Sequence, residues 1–202
     1  MKALLALAGA IDALTARFGI IAQWAVFLSC LVSASNAVVR YTFDYSSNSF
    51  LEIQWYLFAA CVMLGAAQVL KVNEHVRVDL FYSRLSGRGK VWLDLGGLLV
   101  FLLPVIAYLC MLSWDLFMVK LSTGMRPEDS MASLGALPYI WKLLSSGEVS
   151  NNSGGLIRWP AMLMLPLGFA LVWLQGLAEL IKRIAWLGHG YDMDIHYERP
   201  LQ

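Results

Sequence analysis

Four apolar stretches without a single Asp, Glu, Lys, Arg or His, residues 18–39, 53–70, 95–114 and 159–178, dominate this chain of 202 residues. Each is long enough to cross a hydrocarbon core of about 30 Å as a helix. Their edges are sharp: Arg17 and Arg40 bracket the first, Glu52 and Lys71 the second, Asp94 and Asp115 the third, Arg158 and Glu179 the fourth. Lipid cannot satisfy open backbone groups, so such a chain is all-α in the membrane. The expectation is a single integral membrane domain over 1–202, with four transmembrane helices and no room for an independent soluble domain. Only 14% of residues are charged, and the net charge of +1 gives no indication of a nucleic-acid partner.

Charge placement sets the orientation. With four spans, the N-terminus, the 71–94 connection and the C-terminal tail share one side and carry ten of the fifteen Lys and Arg residues. The positive-inside rule puts that side, and both termini, in the cytoplasm. Ala8-Gly9-Ala10 after Lys2 resembles a signal cleavage site, but cleavage there would carry the basic 71–94 connection to the outer side. The better reading of Leu4, Leu7, Ile11, Leu14 and Phe18, which fall near helical spacing, is a helix on the inner leaflet or an extension of the first span.

The spans offer little chemistry. Their strongest polar groups are Gln23, Asn36, Gln54, Gln68 and Gln175, amides that join helices by hydrogen bonds. His75, His189 and His196 lie outside the spans, which disfavours a haem-binding electron-transfer subunit, and no HExxH or GxSxG motif is present. No enzyme activity, cofactor or metal site is therefore expected. Pro104 and Pro166 interrupt the third and fourth spans and should kink them, freeing the carbonyls of Val100 and Met162. Cys30, Cys61 and Cys110 sit within spans as small apolar groups rather than disulfide partners.

Polar signals gather at the membrane edges. Arg40 ends the first span, while Glu52 and Trp55, three residues apart, share a helix face at the start of the second. An ion pair between Arg40 and Glu52 would join the two helix ends. Ala59, Ala60, Gly65, Ala66 and Ala67 would allow another helix to approach the second span closely. Beyond it, His75-Val76-Arg77-Val78-Asp79 places His75, Arg77 and Asp79 on one face if extended. The 115–158 connection is long, and its Met131, Leu134, Leu137, Pro138, Ile140, Trp141 and Leu144 suggest an amphipathic element, lying on the outer leaflet or forming part of a partner surface.

The Arg40–Glu52 spacing, Trp55, Leu64-Gly65-Ala66-Ala67, the HVRVD step and Pro166-Leu167-Gly168 with Leu174-Gln175 resemble the small membrane subunit of tripartite ATP-independent periplasmic (TRAP) transporters, the DctQ-like proteins. The resemblance covers nearly the whole chain, with the long outer connection as its main departure. It implies a non-catalytic subunit of the bacterial inner membrane that braces a large transporting subunit. Sodium coupling would reside in that partner, and a periplasmic substrate-binding protein would deliver a small organic anion. On this reading Arg40, Glu52, Trp55, Gly65, His75, Arg77 and Asp79 are the partner-facing or structural positions. The alternatives are a self-contained oligomeric four-helix channel or transporter and a membrane electron-transfer subunit.

Overall fold

A computed structural model describes residues 1–45, 47–73 and 85–189. Four helical stretches in it are long and apolar enough to cross a membrane. The first helix, α1 (Lys2–Phe43), is continuous over 42 residues. At roughly 1.5 Å per residue it is about 63 Å long, twice the hydrocarbon thickness. The N-terminal apolar run therefore extends the first span and does not form a separate helix. α1 stops at Asp44, which turns into the left-handed region (φ 53°). α2 (Asn48–Val72) ends in the same way at Asn73 (φ 60°), whose N–H closes onto the carbonyls of Leu70 and Val69.

The third span runs from Gly87 to Ser122 in three sections. α3 (Gly87–Gly97) starts at Ser86, whose hydroxyl caps the amide of Gly89 at 3.3 Å. A wide turn over Leu98–Leu102 follows, in which the Leu103 amide reaches back to the Leu98 carbonyl, and α4 (Leu103–Ser122) completes the span. The irregularity expected at Pro104 is thus a π-type turn just ahead of the ring. Two short helices, α5 (Met131–Leu134) and α6 (Ala136–Ser145), occupy the long connection. α7 (Trp159–His189) carries Pro166 within it.

α7 is the hub of the bundle. It packs against α1, α2 and the third span, and α1 packs along α2. The third span lies chiefly on α7, so most of its apolar surface faces outward. Apolar side chains gain little by leaving lipid for one another, and close backbone approach has to supply the attraction. The sequence meets that demand with a stripe of mostly small residues on α1, Ala8, Thr15, Gly19, Ala22, Ala25 and Ser29, all buried. Ala22, Leu64, Ala67 and Leu171 form the central core. A Cβ on Gly65 would touch Ala22 at 3.5 Å, and one on Gly168 would lie only 2.7 Å from the carbonyl oxygen and Cβ of Met63.

Candidate functional site at the two ends of the bundle

Glu52 lies on the first turns of α2 and is 97% buried, with 3% of its surface exposed. Its carboxylate accepts a hydrogen bond from the Asn152 side chain at 2.8 Å and another from the Leu156 amide at 2.7 Å. Those donors belong to the turn between α6 and α7, where Val149 and Ile157 form an antiparallel bridge. Further contacts close the same joint: the Tyr56 hydroxyl donates to the Ile157 carbonyl at 3.1 Å, and Ser49 donates to that of Gly154. Arg40, by contrast, is exposed on the last turn of α1 and makes no ion pair with Glu52. Glu52 is held by neutral donors from a segment 100 residues downstream.

Beside this joint a groove of about 390 Å³ runs between α2 and α7. Glu52, Asn152 and Arg158 mark its polar end, while Trp55, Ala59 and Leu165 line its walls. Trp55 keeps 64% of its surface exposed. Arg158 is engaged with Glu148 at 2.9 Å, and Lys120, from the last turn of α4, pairs with the same carboxylate. Hydrogen bonding to Lys120, reinforced by Arg158, holds the Glu148 carboxyl below its ordinary range. Glu148 thereby ties the third span to the start of α7.

The opposite end carries a second network that spans three helices. The Gln175 side chain is fully buried; it accepts from Thr15 at 2.8 Å and donates to Asp12 at 2.9 Å, linking α7 to α1. Lys182 bridges Asp12 and Glu179, both at 2.8 Å. Arg183 meets the other Glu179 oxygen at 2.6 Å and reaches Asp94 on α3 at 3.3 Å. Lys71 adds α2 by donating to the Asp12 backbone carbonyl at 3.0 Å. Both oxygens of Glu179 are thus used, as a buried carboxylate requires.

From the sequence, the basic residues of the C-terminal tail, Lys182 and Arg183 among them, read only as charges bearing on orientation, and Gln175 as helix glue. The amide does join two helices, and the two charges pair with carboxylates on α1, α3 and α7. The signal was available in Glu179, Lys182 and Arg183, spaced i, i+3 and i, i+4 along one helix face. Asp12 and Asp94 could not be joined to them by spacing. Of the other selected residues, Gly65 is half-buried in the α1–α2 seam. His75, Arg77 and Asp79 lie outside the described residues. Among the described residues no group of three or more His, Cys, Asp or Glu side chains is arranged to hold a metal ion.

The described polar networks thus fasten the bundle at its two ends. The family model for the DctQ component of tripartite ATP-independent periplasmic transporters matches residues 29–185, more than three-quarters of the chain. Neither the search of curated proteins nor that of solved structures returned a match. The match takes in all of α2 to α6, the joint at Glu52 and most of α7, and on that extent the chain belongs to the DctQ family.

Proposed function

We propose that this small TRAP permease subunit is a non-catalytic scaffold for a large membrane subunit, which moves a small organic anion with sodium after a periplasmic binding protein delivers it. One observation carries the reading. Between the outer joint at Glu52 and Glu148 and the inner network around Glu179, the four apolar stretches contain no Asp, Glu, Lys, Arg or His. An ion or a carboxylate crossing the membrane needs polar groups at depth to replace its water. The transporting site therefore belongs to another subunit. The weak coverage of the third span, with 6% of its apolar window buried, supplies apolar surface against which such a subunit can pack.

Co-expression with the products of adjacent genes tests the assignment. Affinity purification of this chain should bring down a larger polytopic protein, and the chain alone in liposomes should transport nothing. Uptake by the isolated chain, or failure to retain any larger membrane subunit, would overturn it. Glu52→Ala and Asp79→Ala should lower complex yield or uptake while leaving the order of substrate preference unchanged. A changed order would indicate direct substrate contact.

A further inference from the structure

Helix α6 exposes an apolar face. Leu137, Ile140, Trp141 and Leu144 recur at i, i+3, i+4 and i+7, with Leu137 81% and Trp141 75% exposed. Lys142 lies on the other side of the helix, drawn back into an ion pair with Asp129 at 2.6 Å. The exposed face carries no charge. We propose that α6 is a lipid anchor whose occupant is the interfacial region of the outer leaflet, the boundary between phospholipid headgroups and acyl chains.

Three features support this choice of occupant. The level is fixed first: the Trp159 indole, from the first residue of α7, donates to the Leu144 carbonyl at 2.9 Å. The Glu148 amide bonds the Lys120 carbonyl in the last turn of α4 at 2.9 Å. Both ties hold the exit of α6 where two spans leave the hydrocarbon. Second, α6 packs beside α4, a helix whose own Leu116 and Val119 near that end are exposed apolar residues. Third, the composition suits an interface: aliphatic side chains with one amphipathic Trp, and the helix's basic side chain turned away, match a helix lying in the plane of a membrane. Anchored this way, α6 fixes the depth and roll of the bundle and keeps the Glu52 joint at the membrane surface. The inference goes beyond the scaffold role and does not depend on it, since the isolated chain suffices for the test.

The experiment uses the full-length chain without its native cysteines, carrying Trp141→Cys labelled with bimane, in nanodiscs of phosphatidylethanolamine and phosphatidylglycerol. Glu128→Cys, whose site is exposed in the loop before α5, serves as the aqueous reference. Brominated acyl chains should quench the Trp141→Cys label several-fold more than the reference, and aqueous iodide should quench it several-fold less. Ile140→Cys gives a second reading if the tryptophan replacement fails to fold. Equal quenching at the face and reference sites would overturn the proposal. So would a face label that is water-accessible in nanodiscs and becomes shielded only when a large membrane subunit is co-reconstituted, which would assign the face to that partner.

Discussion

Met63 and Gly168 show how little freedom single positions have where α2 crosses α7. Replacing a helical glycine by alanine usually favours the helix by about 1 kcal/mol. At Gly168 the new Cβ would meet the Met63 carbonyl oxygen at 2.7 Å, and backbone cannot swing aside as a side-chain tip can. Overpacking of this kind costs about 1–3 kcal/mol, which outweighs the propensity gain. Gly168→Ala should therefore lower the thermal midpoint of the detergent-solubilised chain. Gly9→Ala, with nothing within 4 Å of its Cβ, should leave it unchanged or raise it. Equal midpoints for the two variants would mean that the α2–α7 approach is looser than described. At this scale the sequence could single out residues by type and place but was silent about what they touch. Glu52 and Gly65 could be selected from their places at a helix start and in a small-residue run. The partners of Glu52, Asn152 and Leu156, could not, because the contact bridges 100 residues or more and leaves no spacing signature.

Elements were more legible than contacts, since a run of apolar residues specifies a span wherever its neighbours lie. Helix lengths were less legible, because a charge that edges an apolar run need not end the helix. Arg17 lies well inside α1, and Glu179 well inside α7. Helices that protrude beyond the membrane can carry charge, and here the protruding ends pair it. That pairing is open to a double-mutant cycle. Lys182→Met alone strands Asp12 and part of Glu179, at a cost of about 3 kcal/mol, the lower end for breaking a buried pair, because 23% of the Asp12 side chain remains exposed. Adding Asp12→Asn should return part of that loss, giving a double variant more stable than the sum of the two singles predicts. Strict additivity in unfolding midpoints would remove the α1–α7 coupling.

The long connection between α4 and α7 obeys different physics, because its order rests on carboxylates near water. A hydrogen bond from Lys142, with a second from the Arg126 amide, holds the Asp129 carboxyl below its ordinary range, as Lys120 does for Glu148. Groups with depressed folded-state pKa values contribute stability that is complete above their unfolded values, near 4. This contribution is lost as pH falls through the lower folded values. Amide exchange in residues 123–158, corrected for its intrinsic pH dependence, should show constant protection from neutral pH down to about 5 and progressive opening below about 4. Loss of protection on raising the pH from 6 to 8 would contradict the sign.

On the scale of the molecule, the two polar ends differ in how far they stand from the membrane. α1 and α7, at roughly 1.5 Å per residue, are about 63 and 46 Å long, so each must emerge from a hydrocarbon core of about 30 Å. The N-terminal part of α1 and the C-terminal part of α7 pack side by side, where Ala8, Ile11 and Ala178 form a small core beside Asp12, Lys182 and Arg183. Both excess lengths therefore emerge on one side. The other end stays near the surface, because Glu52 and Glu148 fasten the α6–α7 turn directly over the span ends. The positive-inside rule predicts a direction for that asymmetry: ten of the fifteen Lys and Arg residues fall in the segments that four spans put on the side of the protruding end, so that side is expected to be cytoplasmic. In intact inner-membrane vesicles of known sidedness, with the native cysteines removed, a membrane-impermeant thiol reagent resolves the matter. Leu85→Cys should label only from the cytoplasmic face and Ser145→Cys only from the opposite face, both positions being exposed. The reverse pattern would place the protruding end and its ionic network outside. Labelling of both sites from one face would contradict the four-span threading on which every other placement depends.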